Sequence, residues 1–213
     1  MCIRDRLNKL DNKVCAVMFE FVQGEGGVIP LQQSFVNTIM LECAKRDILT
    51  IADEVQTGVG RTGKLLTSEL YNVKPDITTL AKGLAGGVPI GVCLANKKCS
   101  EVLGKGTHGS TFGGNPISCA GGNAVLDKVT KPEFLEEVRK KGEYFREKLV
   151  QIDEVEGVDG LGLMIGVRLK TKKAADVLNK CFENGLLILT AKDKLRFLPP
   201  LNISYEQIDK GLA

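Results

Sequence analysis

The sequence predicts an α/β fold, with part of a mostly parallel sheet domain followed by a smaller α+β unit. Three observations carry this expectation. Apolar, β-branched runs at residues 14–21, 48–52, 76–81 and 90–95 are separated by a helical pattern and glycine-rich loops rather than by tight hairpin turns. Two of these runs end in charged groups, Asp53-Glu54 and Lys82, where an α/β sheet presents its ligand crevice. Beyond about residue 130 the pattern changes to a long amphipathic helix and then short strands around one further helix.

Residues 14–21 (Val-Cys-Ala-Val-Met-Phe-Glu-Phe) are nearly continuously apolar, as in a strand buried on both faces. Glu20 is the exception, and a carboxylate there needs a partner or a polar crevice. A glycine-rich loop, residues 23–27, follows. Ser34 is placed to cap a helix reaching Arg46, with Phe35, Ile39, Met40 and Cys43 on one face. The strands at 48–52, 76–81 and 90–95 come next. The stretch 104–115 is too rich in glycine for a regular element, and Pro116 suits the first turn of a helix to Val129. A helix at 132–152 carries Leu135, Val138, Phe145 and Leu149 at helical spacing and reads as a connection. Strands at 155–158 and 163–169, a helix at 174–184, and strands at 186–189 and 195–198 complete the chain. The expected organisation is a leader of no assigned role (1–12), part of a large sheet domain (13–130), a connecting helix (131–153) and a C-terminal small domain (154–213).

Composition narrows the function classes. At 213 residues with 43% apolar and 26% charged residues, the chain is ordinary for a soluble globular protein. A net charge of +3 without a basic, aromatic-laced stripe argues against nucleic-acid binding. No apolar run approaches the ~20 residues of a membrane span. The seven cysteines form no Cys-x-x-Cys pair and read as small buried hydrophobes in a reducing, cytoplasmic compartment. His108 is the sole histidine, which excludes a multi-histidine metal site.

One amine and one carboxylate delivered at strand ends suit a Schiff-base site. There Lys82 holds an aldehyde cofactor and a carboxylate of the Asp53-Glu54 pair balances its ring nitrogen. The same spacing also suits a solvated loop lysine. His108-Gly109-Ser110-Thr111 offers hydroxyls and backbone amides of the kind that hold phosphate, or a plain surface turn. Arg196, in an apolar strand before Pro199-Pro200, reads as a bidentate clamp for a carboxylate or as an edge residue facing water. Glu20 is a candidate to mask it when no substrate is bound. Residues 58–64 satisfy the first seven places of a phosphate-binding P-loop, but Leu65 stands where the metal-binding hydroxyl belongs.

Taken together, four stretches resemble the signatures of the class III pyridoxal-phosphate aminotransferases, in family order and with compatible gaps. They are residues 20–28, residues 52–63 around Asp53 and Gln56, Leu80-Ala81-Lys82-Gly83, and residues 108–116. The resemblance covers nearly everything after residue 12. It implies a fold-type I pyridoxal-phosphate transferase, a homodimer with a shared active site, and amino-acid and 2-oxo-acid substrates. By that resemblance Lys82 attaches the cofactor and shuttles a proton, Asp53 pairs with the pyridine nitrogen, Val55 packs on the ring and Gln56 reaches its phenolic oxygen. Thr111, with Ser110 beside it, would contact the phosphate of the neighbouring subunit. Arg196 would bind the α-carboxylate of glutamate, with Glu20 as its switch. The implied reaction moves an amino group from N2-acetylornithine to 2-oxoglutarate, with ornithine, succinylornithine or 4-aminobutyrate as alternative donors. Phe21 stands where the family usually has proline. The family's N-terminal half has no counterpart here and the last helix is cut short, so the chain is expected to be about half of such an enzyme. An inactive half-enzyme that acts as a binding module is the alternative.

Overall fold

The computed structural model describes residue 5 and residues 7–213, so most of the leader's first six residues lie outside the described part. The chain divides into two compact units. The first comprises the described residues up to Phe21, Leu31–Val59 and Leu66–Lys128; the second comprises Val22–Pro30, Gly60–Leu65 and Val129–Ala213.

The first unit holds a four-stranded sheet in the order β1-β4-β5-β6, from Ala16–Phe19 (β1), Leu49–Asp53 (β4), Ile77–Leu80 (β5) and Val92–Ala95 (β6). β1 runs parallel to β4 and β4 parallel to β5, while β6 returns antiparallel to β5. Helix α1 (Gln33–Lys45) places Val36, Ile39 and Cys43 on its buried face. Ile39 and Cys43 pack there with Ile48 and with Leu10 of the unassigned leader. The helix begins one residue before the expected cap: Gln32 precedes it without a side-chain cap, and Ser34 lies inside. The run at 14–21 is not buried on both faces. β1 is an edge strand here, and Met18 is 58% exposed. The cysteine expectation changes for a related reason: Cys43 is buried, but Cys15, Cys93 and Cys119 are exposed. Cys93 lies on the other edge strand, and Cys15 immediately precedes β1.

Asp76 locks three strands of this sheet together. Its carboxylate accepts from the Thr50 amide and hydroxyl, each at 2.8 Å, and from Asn96 Nδ2 at 2.8 Å. Burial works to raise its pKa, but these donors, with Lys98 nearby, outweigh it and hold the carboxyl below the usual range. A depressed folded-state pKa contributes stability that is present above the unfolded value of about 3.9 and lost as pH falls through the folded one. Asp76→Asn is therefore expected to lower stability at pH 7 and to flatten the acid limb below pH 4 in a urea-midpoint-against-pH series. An unchanged acid limb would remove Asp76 from this role.

The second unit contains a short antiparallel pair, β2 (Val22–Gln23) with β3 (Ile29–Pro30), and an antiparallel sheet in the order β7-β8-β10-β9. Its strands are Val155–Leu161 (β7), Met164–Leu169 (β8), Leu189–Ala191 (β9) and Lys194–Phe197 (β10). β9 begins three residues later than the run at 186–189 suggested, and Lys192 in the left-handed region (φ 55°) turns the chain into β10. Helix α4 (Pro132–Leu149) has proline at its first turn and buries Val138, Gly142, Phe145 and Leu149 along one stripe. Val138, Phe145 and Leu149 enter one core with Leu163, Ile165, Val167, Leu195 and Ile208. The helix read as a connection is thus a core element of this unit. Each fully buried aliphatic or aromatic side chain contributes about 1.5–3 kcal/mol. Helix α6 (Tyr205–Leu212) is closed by a capping box between Ser204 and Gln207. The remaining helices are α2 (Lys97–Ser100) and α3 (Pro116–Val129) in the first unit and α5 (Ala174–Glu183) in the second.

Candidate active site

In the first unit the parallel register sets Asp53, the last residue of β4, opposite Thr79 of β5. The Thr79 hydroxyl donates to Asp53 Oδ1 at 3.5 Å, and the Val55 amide donates to the same oxygen at 3.0 Å. These two donors fix the orientation of the carboxylate at the crevice end of the sheet. Three residues past Thr79, Lys82 opens a short 3-10 turn (Lys82–Ala85) and is exposed. Its backbone lies in the left-handed region (φ 50°), which costs an L-residue about 1–2 kcal/mol. Non-glycine residues held this way cluster at functional sites. A carboxylate and an amine thus leave the carboxyl ends of neighbouring parallel strands.

Val55 and Gln56 follow directly, both partly buried, and Gln56 Oε1 is buried with no hydrogen-bond partner. A buried amide oxygen without a donor is costly unless a ligand supplies one. Ser110 and Thr111 lie exposed on the loop 101–115, whose end is fixed by Asn115. Asn115 Oδ1 accepts from the Ser118 amide at 2.9 Å, and the Ser118 hydroxyl donates to Pro89 O at 2.8 Å. His108 is exposed on the same loop. Glu20 stands just past β1, partly buried.

The second unit carries Arg196, whose side chain is only 9% exposed and whose Nε is buried with no partner. The carboxylate paired with it is Glu25, at 2.5 Å from Nη1. Glu20, the mask expected from the sequence, belongs to the first unit, whereas Arg196 and Glu25 both belong to the second. Glu25 comes from the glycine loop, and the reason lies in how closely that loop packs. Arg196 pairs with Gly166 of β8, and a Cβ at Gly166 would sit 2.7 Å from Val28 Cβ. Glycine at 166 lets the loop lie on the strand beside Arg196. Val28, buried at φ 51°, packs with Val22 and Met164 to hold it there. The pair is asymmetric: Glu25 is 75% exposed at its side chain, so it can leave for water while Arg196 stays buried. The hint missed in the sequence is that Glu25 is the single charge within a run of glycines.

The P-loop-like segment does not form a phosphate cradle. Gly58 N donates to Glu54 O at 2.9 Å, Gly60 N to Leu65 O at 3.4 Å and Gly63 N to Gly60 O at 3.0 Å. Amides spent on internal bonds are not available to an anion. Among the described residues there is no group of three or more potential metal ligands, and no helix is long and apolar enough to cross a membrane.

Residues 2–213 match the family described as Aminotransferase class-III. Acetylornithine aminotransferase of Haemophilus ducreyi is 52% identical over 203 residues, a stretch covering 95% of this chain and 51% of that protein. The enzyme of the same name from Caldanaerobacter subterraneus is 49% identical over 208 residues, covering 95% and 53%. The chain spans about half the length of the curated relatives it matches. Among solved structures, N-acetylornithine aminotransferase from Stenotrophomonas maltophilia gives a TM-score of 0.89 at 35% identity, covering 99% of this chain and 57% of that one. An ornithine aminotransferase from Plasmodium yoelii gives 0.90 at 38% identity, covering 99% and 58%.

Proposed function

Because the chain belongs to the class III aminotransferases, we propose that it supplies the lysine-bearing part of a pyridoxal-phosphate site for amino-group transfer. The observation that carries this reading is the placement of Asp53 and Lys82 at the ends of adjacent parallel strands. The residues present fit the cofactor: an oriented carboxylate for the pyridine nitrogen, an exposed amine for the aldehyde, and a buried, unpartnered Gln56 Oε1 within the same segment. When bound, pyridoxal phosphate supplies an electron sink that makes the proton next to the transferred nitrogen removable.

The chain's own residues do the rest. Lys82 Nζ attaches the cofactor and, once released by the incoming amine, takes and returns that proton. Asp53 keeps the ring nitrogen protonated, Val55 covers the ring, and Gln56 meets the phenolic oxygen. Ser110 and Thr111 hold the phosphate across a homodimer. Arg196 clamps the α-carboxylate of glutamate with Glu20 as its switch, and Glu25 is the carboxylate paired with Arg196 when no such substrate is present. Closing on the cation spares a buried, unpaired charge. N2-acetylornithine is the amino donor this reading favours, with 2-oxoglutarate as acceptor, within arginine biosynthesis in the cytoplasm. Its likeness to proteins named acetylornithine aminotransferase supports this choice over ornithine, succinylornithine or 4-aminobutyrate.

The test is the visible spectrum of the chain with pyridoxal phosphate, followed by borohydride reduction and peptide mapping. A band with the label on Lys82 is expected, and a label confined to other lysines would refute the assignment. A second reading, a binding module without turnover, draws on the apolar residues exposed on both edge strands, Met18 and Leu94. Cofactor capture with no transfer between acetylornithine and 2-oxoglutarate would favour it.

A further inference from the structure

Glu54 is 1% exposed, and the chemistry above leaves it without a task. Its backbone extends the sheet, with its amide donating to Thr79 O at 3.0 Å. Its carboxylate turns away to gather donors from beyond the following segment. Thr67 N donates to Oε2 at 2.6 Å, Ser68 N donates to Oε1 at 2.9 Å, and the Thr57 hydroxyl donates to Oε2 at 3.3 Å. The Thr67 hydroxyl in turn donates to Thr57 O at 3.0 Å. One carboxylate therefore pins residues 67 and 68 to the end of β4. The segment that begins with Val55 and Gln56 is held at both ends.

We propose that Glu54 is a positioning residue, which holds Gln56 with its amide oxygen turned inward, toward the cofactor. This rests on the reading of the site given above. Glutamate is suited to the task because both of its oxygens accept, matching two converging amides. Glutamine in the same shape would set an NH2 group against a backbone N–H.

The test is a double-mutant cycle on the full chain with pyridoxal phosphate, read as cofactor dissociation constants from the visible band. Amide exchange without cofactor is the second readout. Glu54→Gln is expected to speed exchange at Thr67 and Ser68 by at least about tenfold and to weaken cofactor binding about tenfold, the size of one charge-assisted hydrogen bond. Placed on top of Gln56→Ala, the same change is expected to weaken binding by less than about twofold, because contacts acting through one another are not additive. Thr57→Val, which removes one donor only, should reproduce the coupling on a smaller scale if Glu54→Gln does not fold. Equal binding by the wild-type and Glu54→Gln chains would overturn the proposal. So would losses that multiply with Gln56→Ala, since these would mark a purely structural role. A wild-type chain that takes up no cofactor would overturn the proposed function and this role with it. Unchanged amide exchange in a chain that does bind would overturn this role alone.

Discussion

Lys82→Ala is expected to leave a folded chain that gives no visible band and no borohydride label with pyridoxal phosphate. The substitution is clean for structural reasons. Lys82 is exposed, so truncating its side chain removes little packing and should change stability by less than ~0.5 kcal/mol. Alanine keeps the Cβ, so the cost of holding φ at 50° is the same in both proteins. The hydrogen bonds of the turn, Leu84 N to Ala81 O and Gly86 N to Gly83 O, are backbone bonds that do not use the side chain. What is lost is the one nucleophile that the turn presents. Lys82→Arg makes the control: it retains the charge, but a guanidinium that never gives up its proton cannot attach an aldehyde. Both variants should therefore fail alike. A band that survives in either would mean that another lysine carries the cofactor and that the central assignment is wrong.

Gly142→Ala is expected to damage the second unit strongly through a single added methyl group. In an unconstrained helix, alanine would be favoured over glycine by about 1 kcal/mol. In α4 its Cβ would instead overlap the carbonyl oxygen of Gly162. That turn has no room to retreat. Gly162 is itself in the left-handed region (φ 54°), with Arg61 O and Thr62 C each 2.6 Å from its own Cβ direction. Arg146 Nη1 also donates to Gly162 O at 3.0 Å, one helical turn after Gly142. The segment is further held by Arg61, whose buried guanidinium donates to Leu163 O and Pro199 O. Burial pushes that guanidinium's pKa down to about 10. Overpacking at such a site should cost about 3 kcal/mol, the upper end of its usual range. For a unit of this size that lowers the melting temperature by roughly 12 °C or more. Gly211→Ala is the contrast, because its Cβ would meet only Leu186 Cδ1 at an ordinary 3.5 Å. A melting temperature unchanged by Gly142→Ala would show that α4 does not approach the 162 turn as described.

Much of the site was legible in local chemistry. Apolar runs that end in Asp53 and Lys82 specify strands with charged ends, because side-chain burial repeats over a few residues and is written in the residues themselves. The helices at 116–129 and 132–149 were legible for the same reason: proline at the first turn and apolar spacing are local facts. Edges were not legible. β1 reads as a buried strand, yet Met18 faces solvent, because its neighbours are set by pairing between distant segments rather than by its own composition. The partner of Arg196 was beyond the sequence in the same way. Two carboxylates, Glu20 and Glu25, lie within six residues of each other, and no periodicity chooses between them. Glu25 meets the guanidinium of Arg196, 171 residues further along the chain, because Gly166 on the neighbouring strand has no side chain to keep the glycine loop off β8. The sequence by itself determined the apolar strands and the charged residues that stand at their ends. Only the tertiary structure decided which charges meet, because a buried charge is settled by whichever partner close packing allows to reach it.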